Sequence, residues 1–323
     1  MAFLTTFFNH AQAVQKAAGE LGITASTQLA DFGLRLELSG RTEVWPARFM
    51  ARVGDRLAYS EALIPGTIGF AGWTPHAQRR WPIAVDKGAF KQFAFEHGLA
   101  TPAACLDPAR IGGPFLVKKI DGSFGEGIRG PYLSYDTEDP DQRLQEGEYY
   151  ENFIVGLIAK AWCWGDRCVA VHLHEPSTVT GDGRSALRQL VEALPNPRGE
   201  HDWDLIARLA AYCGIAGIEA VPPQGKQVLV EFRYGSRYER DSYDNPNVRD
   251  KIMGSELARQ FDEAAALLSR AISPDPQLQR SMYTLDAVVD GEGQVQLLEM
   301  NCCPLVHPDL YRVMLGDWLG SAA

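Results

Sequence analysis

The chain has 323 residues, with 31 Lys and Arg against 41 Asp and Glu, a formal net charge of −10, and 46% hydrophobic and 22% charged residues. That composition suits an ordinary globular protein of one large or two to three smaller domains. It excludes the electrostatic footprint of nucleic-acid binding, because no Lys/Arg stripe with interleaved aromatics occurs, and no apolar run approaches the roughly 18 residues of a membrane span.

Residues 1–85 predict a helix over about 8–20 and strands at Leu34–Leu38 and Trp45–Val53, with no chemical signal. The first residues, Met-Ala-Phe-Leu-Thr-Thr-Phe-Phe, lack a basic region, so a signal peptide is not expected. Asp86–His97 reads as a helix stopped by Gly98 and followed by Pro102. Phe115–Lys119 is a strand that runs into Asp121-Gly-Ser-Phe-Gly-Glu-Gly127, three glycines in seven residues, which suits a mobile loop. Strands Ala159–Trp164 and Cys168–His172 surround Gly165-Asp166. Helices at Ala186–Leu194 and Trp203–Cys213, strands at Gly217–Val221 and Gln227–Arg233, and a helix over about 255–272 follow. Strands mixed with helices throughout predict an α/β or α+β chain. Six cysteines (105, 163, 168, 213, 302, 303) show no CxxC and no zinc spacing, so reduced thiols in a cytoplasmic chain are expected.

The richest stretch lies near the end. Tyr283–Val289 and Val295–Met300 flank the turn Asp290-Gly-Glu-Gly293, a hairpin signal. In the simplest register Asp286 lies opposite Leu297. Alternation then puts Asp286, Glu299 and Asn301 on one face, and Leu285, Ala287, Val289, Leu298 and Met300 on the other. Two carboxylates and an amide oxygen on one face call for a cation, and all-oxygen donors favour Mg²⁺ completed by water and phosphates. An ordinary hairpin with a solvated acidic face is the alternative. Glu219…Glu231 echoes this spacing, but Phe232-Arg233 follows where an amide ligand would be wanted, so it reads as a decoy.

A nucleotide also needs cations. Lys118 ends a buried strand beside the glycine loop, whose N–H groups suit phosphate oxygens; Lys119 beside it leaves open which of the two points inward. The loop lacks the Walker spacing. Lys87 is a second cation, or an exposed first-turn residue. Arg233 to Asp244 holds three arginines and three tyrosines in twelve residues, suited to an anionic, partly apolar substrate or simply to a solvated loop. His172 and His174 share a strand face without a third ligand and read as structural, and His307, after Asn301, either lines the substrate side or is a loop histidine.

Four stretches, in order, carry a resemblance to the ATP-grasp superfamily of carboxylate–amine ligases: Asp86-Lys87 with Gly98-Leu-Ala-Thr-Pro102, Pro114-Phe-Leu-Val-Lys118 with the glycine loop, Glu151-Asn-Phe-Ile-Val-Gly156, and Asp286…Glu299-Met-Asn301. A fifth, Glu175–Gly183 with Leu187-Arg-Gln-Leu190, is similar to the ATP-grasp part of cyanophycin synthetases and to glutathione-ligase relatives. The resemblance spans about 86–310. It implies two α+β subdomains gripping ATP, 86–155 with the glycine loop and 156–323 with the metal site, behind an N-terminal pre-grasp domain, 1–85. By the same implication Lys87 and Lys118 hold ATP phosphates, and loop 121–127, with Ser123, Gly125 and Gly127, closes over them. Glu151 meets the adenine amino edge, and the backbone at Phe153 and Ile154 hydrogen-bonds the base. Asp286, Glu299 and Asn301 bind two Mg²⁺, with Glu299 bridging.

Three positions depart from the family pattern: Ile158 where relatives carry an acid, Lys160 where they carry arginine, and Thr284 where some carry the arginine that stabilises an acyl phosphate. Lys160 keeps a charge without bidentate geometry, and Arg233 is the expected replacement for the missing arginine; these two are the catalytic cations. The implied function is ATP- and Mg²⁺-dependent joining of a small-molecule or peptide carboxylate to an amine. Two alternatives stay open, a nucleotide-binding protein with altered chemistry and a kinase that stops at phosphoryl transfer. Neither nucleic acid nor membrane is an expected partner, and a homodimer is left open.

Overall fold

The structure is a computed structural model that describes residues 2–320 except 29, 55, 78, 123–126, 196–199, 235–237, 239–245, 273–274, 276–279 and 303. The N-terminal part comprises α1 (Ala2–Glu20), β1 (Thr24–Thr27), β2 (Leu34–Leu38), β3 (Arg41–Trp45), β4 (Ala47–Val53), β5 (Arg56–Ser60) and β6 (Thr67–Trp73). Next come α2 (Lys87–Glu96), β7 (Ala104–Cys105), β8 (Phe115–Lys119), β9 (Arg129–Tyr132) and β10 (Glu148–Asn152). The remainder holds β11 (Leu157–Trp164), β12 (Arg167–His174), β13 (Ser177–Thr180), α3 (Leu187–Glu192), α4 (Trp203–Tyr212), β14 (Gln227–Glu231), α5 (Arg249–Ile252), α6 (Glu256–Ile272), β15 (Met282–Val289), β16 (Val295–Asn301) and α7 (Leu310–Gly320).

Every described strand pair is antiparallel, so the mixed chain resolves as α+β. Two sheets position the site. The smaller runs β7-β10-β8-β9 and the central one β12-β11-β15-β16. Gly156 joins them where a Cβ would lie 2.0 Å from the Val289 carbonyl oxygen, a gap that only glycine fits. The central sheet is covered on one face by α6, whose Phe261, Ala265, Leu268 and Ile272 recur at helical spacing, and by Phe90 of α2. At one end of its other face Trp162, Trp164, Ala170 and Met282 join the core of the N-terminal part and Tyr311 and Met314 of α7. Residue 85 is therefore no packing boundary: Val14, Trp45 and Phe70 share one cluster with Trp162 and Tyr311. Likewise α4 sets Leu205 and Leu209 on Leu116 and Phe153 of the smaller sheet.

Several expected elements are corrected. The first helix begins at Ala2, because Phe3 and Phe7 pack on Phe32, Phe49 and Phe70. The strand expected over 45–53 is broken at Pro46, which has no N–H to give a ladder. Gly217–Val221 forms no strand; Gly217 has φ +145, and Ala220 turns back onto its carbonyl. Among the described residues no helix is long and apolar enough to cross a membrane.

Candidate active site

The hairpin β15–β16 carries a bulge that the sequence reading lacked. Asp286 pairs with Glu299 and Ala287 with Leu297, leaving Leu298 as the extra residue. Leu297, buried at 2% exposure, therefore joins Val295 and Met300 in the core in place of the expected Leu298, while Glu299 and Asn301 still turn to the face of Asp286. Without the extra residue, alternation would put Leu297 on the face of Glu299. Register extends that face across four strands: Glu299 opposite Asp286, Asp286 opposite Lys160, and Lys160 opposite His172.

Four lysines and three carboxylates converge here. The Asn301 amide donates to Asp286 Oδ2 (3.0 Å) and to Glu299 Oε1 (3.3 Å). Lys160 Nζ lies 2.5 Å from Asp286 Oδ1, and Lys87 Nζ lies 2.9 Å from Glu299 Oε2 while also donating to the Gly122 carbonyl. Lys87 reaches the site because it opens α2, whose N-cap Asp86 accepts from the Ala89 N–H. Lys118, not Lys119, is the inward lysine: it is 8% exposed and donates to Glu151 Oε1. Lys91 takes Glu151 Oε2 at 2.7 Å.

Electrostatics set the two face carboxylates apart. Burial raises the Asp286 pKa, Lys160 opposes that, and neighbouring Glu299 adds to it, so Asp286 ends above the usual carboxylate range. Burial also pushes Glu299 up, but Lys87, Lys160 and Lys118 outweigh it and hold Glu299 low. Glu151 is low for the same reason, with Lys118 and Lys91 offsetting its burial.

Beyond Lys160 the row continues into aromatic and imidazole groups. The Lys160 ammonium lies 4.9 Å from the Tyr234 ring centroid and 5.9 Å from that of Trp162. The Tyr234 hydroxyl meets His172 Nδ1 at 3.2 Å, and His172 Nε2 meets His307 Nε2 at 3.1 Å. His307 Nδ1 accepts the Asp309 N–H, so a neutral His307 donates from Nε2 and His172 donates from Nδ1 to Tyr234. Burial, then His307, His174 and Lys160, hold the His172 pKa down to about 3, which keeps that ring neutral. Read separately in the sequence, His172 and His307 meet beside Lys160 only because β12 and the loop before α7 converge there.

Not every expected residue points into the site. Arg233, expected as a catalytic cation, closes a bidentate pair with Glu231, two residues before it (2.9 and 2.7 Å), and reaches Asp202, the N-cap of α4, at 3.4 Å. Glu151, expected at an adenine edge, has both oxygens engaged by lysines. The Phe153 N–H, expected to meet the base, donates to the Pro114 carbonyl at 2.8 Å, and its ring packs on Tyr212 and Phe232. The Ile154 N–H has no partner among the described residues. Ser123, Gly125 and most of the 233–244 stretch lie outside the described residues. Gly127 has φ +72, and a Cβ there would press the Lys119 side chain at 3.0 Å. Ile158 is buried, and the Thr284 hydroxyl is buried without a hydrogen-bond partner among the described residues.

Lys91 escaped the sequence reading. The signal that could have found it is its spacing, one turn after Lys87 on the same face of α2.

No family model matches the chain. Cyanophycin synthetase of Trichormus variabilis is 26% identical over 172 residues, a match that covers 44% of this chain and 18% of that protein. The chain thus spans under a fifth of the length of the curated relatives it matches. Two solved structures overlap it: a bifunctional glutathione synthetase from Pasteurella multocida (14% identity, 99% of this chain and 45% of that one, TM-score 0.46) and the D-alanine–D-alanine ligase of Bacillus anthracis (13%, 73% and 65%, TM-score 0.36). In its curated sequence match, as in its ordered motifs, the chain resembles the ATP-grasp carboxylate–amine ligases.

Proposed function

We propose that the chain is an ATP- and Mg²⁺-dependent ligase that activates a carboxylate as an acyl phosphate and joins it to an amine. The observation that carries this reading is the convergence of Lys87, Lys118 and Lys160, from three separate elements, on Glu299, Asp286 and buried Glu151. Among the described residues no three His, Cys, Asp or Glu side chains form a metal-holding group. Two carboxylates and an amide fit an ion that completes its shell with phosphate and water, as Mg²⁺ does. Asp286, Glu299 and Asn301 would hold that ion, and one or two such ions would neutralise charge on the β- and γ-phosphates.

The remaining work falls to the chain's own groups. Each of the three carboxylates is paired with a lysine, so ATP binding would amount to an exchange in which lysines turn from carboxylates to phosphates. Lys87 and Lys118 would take the phosphates, and the Ile154 N–H, without a partner among the described residues, would serve the base. Lys160, which lies on this face, would meet the charge that builds on the transferring phosphoryl group and the acyl oxygen. No protein nucleophile is required, since the substrate carboxylate attacks the γ-phosphate and the amine then displaces phosphate.

A second reading has one observation behind it. Thr284 replaces an arginine and Arg233 is paired elsewhere, so among the described residues every cation paired with the three site carboxylates is a lysine. A nucleotide-binding protein without ligation, or a kinase, fits that set. ADP release from ATP and Mg²⁺ on adding pooled amino acids or peptides tests both. Substrate-stimulated ADP release with an amide product by mass spectrometry supports ligation, a phosphorylated product supports the kinase, and ATP binding without stimulation overturns both enzymatic readings.

A further inference from the structure

We infer that Lys91 is the positioning residue that allows Lys118 to leave Glu151 for a phosphate. The inference rests on the ATP reading above and deepens it. Glu151 is 1% exposed, and its carboxylate is shared: Lys118 holds Oε1 and Lys91 holds Oε2 at 2.7 Å. The two lysines are not equivalent. Lys91 has three acceptors for its three N–H bonds, namely Glu151, Thr101 Oγ1 at 2.6 Å and the Leu297 carbonyl at 3.5 Å. It also stands on α2, whose neighbouring Phe90 is rooted in the core of the central sheet. The Lys118 ammonium has Glu151 as its one hydrogen-bonded partner among the described residues, reached diagonally across the β8–β10 pair, where Tyr149 is its direct neighbour. A polyphosphate beside the glycine loop therefore draws away Lys118 and leaves Lys91 in place.

The consequence is electrostatic. A carboxylate sealed from water and stripped of its last cation is strongly destabilised, so a single lysine on Glu151 would be held there. With Lys91 fixed, Glu151 stays paired whichever way Lys118 turns. The same contacts tie the smaller sheet, through Glu151, to the bulged strand β16, through Leu297. Lys91 thus sits between the two sheets that a nucleotide must bridge.

The test is calorimetric titration with adenylyl imidodiphosphate and Mg²⁺, after thermal melts without nucleotide to establish folding. Wild type binds. Lys91→Met binds about tenfold more weakly or worse, because Lys118 becomes the sole counter-ion of Glu151. Lys91→Met combined with Glu151→Gln recovers most of that loss, although it restores no cation, because no charge is then stranded. A merely structural lysine would give a double variant no better than the single one, and that result, or wild-type affinity in Lys91→Met, overturns the inference. If Lys91→Met does not fold, the polar variant Lys91→Gln decides by the same measure: binding about tenfold weaker or worse supports the inference, and any smaller loss overturns it. A wild-type chain that does not bind the nucleotide removes the ATP reading itself, an outcome distinct from these.

Discussion

Glu231 and Glu299 lie on two strands that echo one another in sequence, yet their surroundings are opposite. Glu231, 2% exposed, is satisfied by its own neighbours: Oε1 accepts from the N–H groups of Phe232 and Arg233, and the Arg233 guanidinium takes both oxygens. Glu299 takes its counter-charge from afar, from Lys87 of α2, with Asn301 beside it and Asp286 across the hairpin. A locally closed pair stiffens a strand end and keeps its two charges engaged with each other. A cluster assembled from distant elements can trade its partners when a ligand brings better ones. The contrast teaches that spacing alone does not make a metal site; the counter-charge must come from elsewhere in the fold.

The largest expected break in that contrast is Glu299→Gln. It should cut substrate-stimulated ADP release by about a hundredfold or more while far-UV dichroism and the melting temperature stay near wild type. Retained turnover in the folded variant would remove the site from the mechanism. The mirror experiment is Glu231→Gln, which strands part of a guanidinium and should cost about 1–3 kcal/mol in urea unfolding, with nucleotide affinity unchanged. A loss of affinity without a loss of stability would reverse the roles assigned to the two glutamates.

A smaller effect separates charges that are paired from one that is refused. His10 lies in the core of the N-terminal part, its Nδ1 2.8 Å from the Tyr311 hydroxyl, and burial followed by His307 holds its pKa down to about 3. Between its unfolded value near 6.5 and that folded value the unfolded chain binds a proton that the folded chain does not. Its effect is absent above about pH 6.5, and stability falls as the pH drops toward 3. His10→Asn should make this acid slope shallower by up to about 1.4 kcal/mol per pH unit; an unchanged slope in denaturant melts across pH 4–6 would show that His10 is not the group responsible. The smallest effect belongs to Thr284→Val, which removes a hydroxyl without a partner among the described residues at nearly constant volume and should leave stability within about 1 kcal/mol of wild type or slightly above it. A larger loss would mean that the hydroxyl has a partner after all.

What the sequence by itself determined was local. Apolar periodicity located α6, α4 and the β15–β16 hairpin, turn chemistry located Asp290–Gly293, and alternation put Asp286, Glu299 and Asn301 on one face. These features depend on residues close in the chain, whose spacing is visible in one dimension. What only the tertiary structure decided was which distant groups face those residues. The bulge at Leu298 depends on cross-strand pairing, the role of Lys91 depends on α2 lying between two sheets, and the meeting of His172 with His307 depends on β12 and the loop before α7 sharing one end of the central sheet. Arg233 shows the converse: its charge was legible and Glu231 stands two residues before it, but nothing in the sequence revealed that Asp202 of distant α4 would hold it as well. Long-range electrostatic partners are selected by folding, because burial makes each buried charge take whichever counter-ion the packing brings within reach.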